Sequence, residues 1–114
     1  VYWRNLLLKE IFNNGLKIDD FRKLKYIALA ESSGRQFDKY GRVLSGVVNN
    51  KDKGLFQISE TYWGEKSREL GFDIHSVEGN VKMAVYLYKM QGTKPWIHSR
   101  HMWITYLKKQ NLDL

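Results

Sequence analysis

Glu31 lies seven residues after Leu24, four after Ile27 and three after Ala28. Helical geometry therefore sets its side chain on the apolar face of a helix, near that helix's C-terminal end. A charge on a core-facing stripe is costly. Burial and the partial negative charge at a helix C-terminus both raise a carboxyl pKa, and a carboxylic acid that keeps its proton near neutrality is what general-acid catalysis needs. The same position also suits a helix-end Glu that bends out to solvent or pairs with a Lys. His98 and His101, three apart, have the spacing for two ligands of one metal. With no acidic third ligand nearby and no H-E-x-x-H pattern, surface histidines and no metal are expected. Gly34, Gly41 and Gly46 form no phosphate-binding spacing, and the absence of cysteine removes disulfides, thiol nucleophiles and thiolate zinc sites. No cofactor is implied.

The elements that must position Glu31 are mostly helical. A first helix is expected from about Tyr2 to Asn14, stopped by Gly15. A second starts near Asp19-Asp20, whose carboxylates suit a helix N-terminus, and carries Phe21, Leu24, Ile27 and Ala28 at three- and four-residue spacing. From Gly34 to Asp52 the glycines, Asn49-Asn50 and the β-favouring Val43, Val47 and Val48 read as a loop with a small hairpin. A third helix is expected from Glu60 to Leu70, closed by Gly71. A fourth, from Ser76 to Gln91, has Val77, Val81, Ala84, Tyr88 and Gln91 on one stripe. The last opens at Pro95 and runs to Lys109. The expected fold class is α+β, mainly α, in one domain of 114 residues.

Composition narrows the setting. At 43% hydrophobic and 27% charged with a single Pro, the chain reads as globular. Its longest apolar runs are a few residues, so no membrane span is expected. A net charge of +7 favours polyanionic partners. The basic residues are scattered and never run to five or six, which argues against a nucleic-acid tail. No signal-peptide pattern opens the chain at Val1, which fits either a processed secreted protein or a domain of a longer one.

Four motifs in order, Ala30-Glu31-Ser32-Ser33, Gly54-Leu55-Phe56-Gln57-Ile58 followed by Tyr62-Trp63, Asn80-Val81-Lys82-Met83-Ala84, and Gln91-Gly92 with Pro95-Trp96, resemble the lysozyme and lytic-transglycosylase superfamily over roughly Leu24 to Trp103. In that family a Glu closing a buried helix precedes a hairpin and a G-[IL]-x-Q-I strand, and a later helix begins with Asn. The resemblance implies a lysozyme-like fold with a small β-hairpin lobe and a cleft between lobes. It also implies cleavage of peptidoglycan between N-acetylmuramic acid and N-acetylglucosamine, no cofactor, a monomer, and an extracellular, periplasmic or phage-associated setting.

Such enzymes generally pair two carboxyl groups across the scissile bond. Asp52-Lys53-Gly54-Leu55-Phe56-Gln57-Ile58 resembles the D-x-G-[IL]-x-Q-I segment of animal-type lysozymes. The resemblance makes Glu31 the acid and Asp52 an ionised partner that supports the cationic transition state or attacks it. Asp52 also suits a turn residue, and Asp38 and Glu60 are rival partners. Expected substrate contacts are Gln57, Ser32, Tyr62 and Asn80; Gln57 also suits a structural hydrogen bond, and Asn80 a helix cap. Tyr62 and Trp63 offer rings for sugar stacking, although Trp63, Trp96 and Trp103 also suit the core. Ser59 stands where many animal-type lysozymes have Asn. The Tyr-Asn-Ala-Gly element of transglycosylases has no counterpart. Three readings follow: a muramidase, a lytic transglycosylase forming 1,6-anhydro products, and a wall-binding module of the same fold without turnover. A nucleic-acid-binding helical domain rests on charge alone.

Overall fold

The computed structural model describes residues 2–112. Five α-helices, a two-stranded antiparallel sheet and one 3₁₀ segment follow the order α1 (Tyr2–Asn13), α2 (Ile18–Ser32), β1 (Asp52–Lys53), β2 (Ile58–Ser59), α3 (Glu60–Leu70), α4 (Val77–Gln91), the 3₁₀ segment (Lys94–Ser99) and α5 (Arg100–Leu112). Among the described residues no helix is long and apolar enough to cross a membrane.

Local chemistry ends the helices where the chain must turn. Gly15 takes φ +71° after α1. The Leu16 N–H then reaches back to the Ile11 carbonyl at 2.9 Å, and the Gly15 N–H to Phe12 at 3.2 Å, the paired closure that a left-handed residue permits. Gly71 ends α3 in the same way, with Phe72 N–H on Ser67 O at 2.8 Å. At the start of α2, Asp20 accepts the Lys17 backbone N–H at 2.8 Å and also the Tyr88 hydroxyl, tying this helix to α4. Ser59 and Ser76 cap α3 and α4 by accepting N–H groups of Tyr62 and Gly79.

The core is built around α4. Gly79, Asn80, Val81, Met83, Ala84, Val85 and Leu87 are all buried, so this helix is enclosed on most sides rather than along the single expected stripe. Trp3, Leu7 and Ile11 of α1, four apart, pack on it. Leu24, Ile27 and Ala28 of α2 complete the interior, and α2 packs in turn on α5.

Two expected elements are corrected. The β pairing does not involve Val47 and Val48, which are fully exposed; it joins Asp52 to Ser59 and Lys53 to Ile58, with only isolated bridges at Phe37–Val43 and Ser45–Lys53 before it. Gly54-Leu55-Phe56-Gln57 is accordingly the turn of this hairpin and not a strand, with Gly54 at φ +74° and Gln57 at φ +50°. The last helix does not run unbroken from Pro95. Trp96 sits at φ −116°, ψ 28°, because its side chain and carbonyl have other partners: its indole N–H donates to Phe56 O at 2.9 Å and its carbonyl accepts the Trp103 indole N–H at 3.1 Å. Both tryptophans are core, as expected, but on two segments rather than one helix.

Candidate active site

The end of α2 delivers Glu31. Ser33, at φ +57°, closes the helix with its N–H on Leu29 O at 3.0 Å. Glu31 is left in the last turn, its carboxyl group half-buried on the side facing the hairpin. Ser99 Oγ donates to Glu31 Oε2 at 2.7 Å. Burial raises the Glu31 pKa, and the negative charge of Asp52 adds to the rise; the Ser99 hydrogen bond and His98 oppose it. The partial burial and raised pKa expected of Glu31 are therefore present.

Asp52 is held by the hairpin. Its N–H donates to Asn49 O at 3.1 Å and its carbonyl accepts Gly46 N–H at 3.0 Å. Behind the turn, two buried amides anchor the hairpin. Gln36 accepts the Leu55 N–H at 2.8 Å and donates to Ile74 O at 3.0 Å. Asn80 accepts the Phe56 N–H at 2.8 Å and donates to Lys53 O and Ile74 O at 2.9 and 2.8 Å. A Cβ on Gly54 would stand 2.5 Å from Gln36 Oε1 and 2.6 Å from Asn80 Nδ2, so glycine is needed there both for its left-handed backbone and for space. Partial burial raises the Asp52 pKa as well. Asp52 is the less deeply buried of the two, and its negative charge adds to the rise in the Glu31 pKa.

Both carboxyl groups line two adjoining hollows. One, of about 380 Å³, extends past Tyr62, Trp63 and Trp96; the other, of about 710 Å³, extends past Val47, Val48 and Met102. Glu31, Asn49, Asp52, Gln57 and His98 belong to both. The two carboxyl groups thus lie where the hollows adjoin, in a groove between the hairpin and the helices.

Of the expected site residues, the structure brings together Glu31, Asp52, Gln57 and Tyr62, with Trp63 on the same wall. Gln57 also keeps a structural role, its amide nitrogen donating to Gly54 O at 3.0 Å and Leu44 O at 3.3 Å. Ser32 and Asn80 are corrected. Ser32 is buried and bonds back to Ala28 O at 3.0 Å, away from the groove, as helical serines often do. Asn80 is fully buried behind the hairpin and neither contacts the groove nor caps α4, whose cap is Ser76. The rival carboxylates lie elsewhere: Asp38 accepts the N–H groups of Tyr40 and Arg42 in its own turn, and Glu60 pairs with His75. Sequence reading missed the cleft-facing positions of Ser99 and His98. No periodicity or motif marks either one, because the break at Trp96 decides where they point. Among the described residues no group of three or more His, Asp or Glu could hold a metal ion.

Comparison with known proteins finds no matching family model, no matching curated protein and no matching solved structure.

Proposed function

We propose that this groove cleaves the glycan strand of peptidoglycan, hydrolysing the β-1,4 bond between N-acetylmuramic acid and N-acetylglucosamine, on a fold of lysozyme-like type. The observation that carries the reading is the placing of a partly buried Glu31, its pKa raised, together with Asp52 on the walls of two adjoining hollows. With a glycan strand lying along it, Glu31 gives its proton to the bridging oxygen as the C–O bond breaks and its electron pair leaves with that oxygen. Asp52 from the hairpin side offers negative charge to the oxocarbenium-like carbon, or a bond to it, and water completes the hydrolysis by returning a proton to Glu31. Tyr62 and Trp63 offer ring faces to the sugars on one side of the scissile bond. The +7 charge favours approach to anionic walls.

One observation favours lytic transglycosylation as a second reading. Among the described residues no group donates a hydrogen bond to the Asp52 carboxylate, and burial disfavours its charge. Glu31 alone would then take the proton from the substrate's own hydroxyl, closing a 1,6-anhydro ring in place of water attack. Clearance of a purified peptidoglycan suspension tests the shared premise. Wild type should clear it and folded Glu31→Gln should not; a wild-type rate for Glu31→Gln would remove Glu31 from the chemistry.

A further inference from the structure

The Ser99 hydroxyl has one proton and two acceptors in reach, Glu31 Oε2 at 2.7 Å and the Trp96 carbonyl at 3.2 Å. The Trp96 carbonyl already accepts the Trp103 indole N–H at 3.1 Å. The carboxyl oxygen is the nearer acceptor, and the stronger one whenever Glu31 is charged. Glu31 Oε1 has no hydrogen-bond partner among the described residues, while the side chain lines the groove.

We propose that Ser99 is a positioning residue that engages Oε2 of Glu31 and so places the transferable proton on Oε1, the oxygen left open to a substrate. This rests on the reading of Glu31 as the general acid. An oxygen that accepts the Ser99 hydrogen bond acts as the carbonyl oxygen of the acid, so the acidic hydrogen resides on the other. On proton transfer the Oε1–H bond breaks and its hydrogen joins the departing glycosidic oxygen. When the nucleophile's O–H later gives up its proton, Oε1 receives it. Ser99 keeps its own proton throughout. Its contact becomes charge-assisted as the carboxylate forms, so it is worth more after the proton has left than before, the property that lowers a barrier. The break at Trp96 makes this possible by turning Ser99 toward the end of α2, 68 positions away in sequence. Among the described residues, the other titratable groups around Glu31 are Asp52 from β1 and His98 from the 3₁₀ segment, with His101 of α5 on the wall of the larger hollow.

The test is a ¹³C NMR titration of the Glu31 carboxyl carbon, together with turnover against pH on peptidoglycan, in the full chain as wild type, Ser99→Ala and Ser99→Thr. Removing a donor that favours the charged form should move the Glu31 midpoint to higher pH, carry the alkaline limb of turnover with it, and lower turnover roughly tenfold or more. Ser99→Thr, which keeps the hydroxyl, should restore both. An unchanged midpoint in folded Ser99→Ala, or a shifted midpoint with wild-type turnover, overturns the proposal. If Ser99→Ala does not fold, Ser99→Cys, with its weak donor, should show the same upward shift, and no shift there overturns it equally. A wild type that leaves peptidoglycan intact refutes the proposed function instead, while the titration still decides whether Ser99 holds Oε2.

Discussion

Asn80→Ala separates an anchor from a substrate ligand. The side chain is fully buried and makes three hydrogen bonds, to the Phe56 N–H and to the carbonyls of Lys53 and Ile74. Alanine leaves the Phe56 N–H buried without its acceptor, which costs about 1–3 kcal/mol, and takes a donor from two carbonyls at about 1 kcal/mol each. The Ile74 carbonyl retains Gln36, which keeps that part of the loss at the low end. The expected destabilisation is about 3–5 kcal/mol, a large share of the 5–15 kcal/mol typical of a domain. With a urea slope of about 1–3 kcal/mol per molar, the unfolding midpoint should fall by more than about 1 M. Turnover by the folded fraction should fall too, because the hairpin that carries Asp52 loses its anchor. Urea unfolding followed by far-UV circular dichroism is the assay. A loss below about 1 kcal/mol, with only a raised KM, would refute this reasoning and return Asn80 to the substrate-binding set.

Glu31→Gln should stabilise the fold increasingly as pH rises. The folded Glu31 pKa is raised above its unfolded value, so the wild type loses stability as pH climbs from the ordinary carboxyl range through the raised value, and Gln does not; unfolding curves from acid to neutral pH check the sign. Asp52→Asn should cut turnover by orders of magnitude if hydrolysis uses both carboxylates, and only mildly if Glu31 works alone, as steady-state rates on peptidoglycan will tell. Cosedimentation with purified sacculi should weaken with added salt, since exposed charges more than about 8–10 Å apart are screened at physiological ionic strength; salt-independent binding would mean groove contacts dominate.

What could be read from the sequence was local. Gly15, Gly71 and Ser76 mark helix boundaries through their own backbone and capping chemistry, and they lie where the pattern puts them. The position of Glu31 on the apolar face of α2 follows from spacing alone, and its carboxyl group is indeed half-buried there. The hairpin was misplaced because its turn is not specified by the valines before it. Gln36 and Asn80, remote in sequence from Gly54 and from each other, hold that turn in place. Pro95 permits a first turn of either 3₁₀ or α type, and the choice falls to tertiary hydrogen bonds made by Trp96 with Phe56 and Trp103. Ser99 and His98 reach the groove only through that break, so no one-dimensional pattern could carry them. Ser32 was misjudged for the opposite reason: adjacency to Glu31 along a helix points the two side chains in different directions.

The most direct measurement is mass spectrometry of the fragments released from purified peptidoglycan by wild type and by Glu31→Gln. The proposed hydrolysis predicts muropeptides with reducing N-acetylmuramic acid ends from wild type, and none above background from Glu31→Gln. Anhydro ends in place of reducing ends would assign the same groove to transglycosylation. Intact glycan strands after exposure to folded wild type would contradict the claim that this groove cleaves them at all.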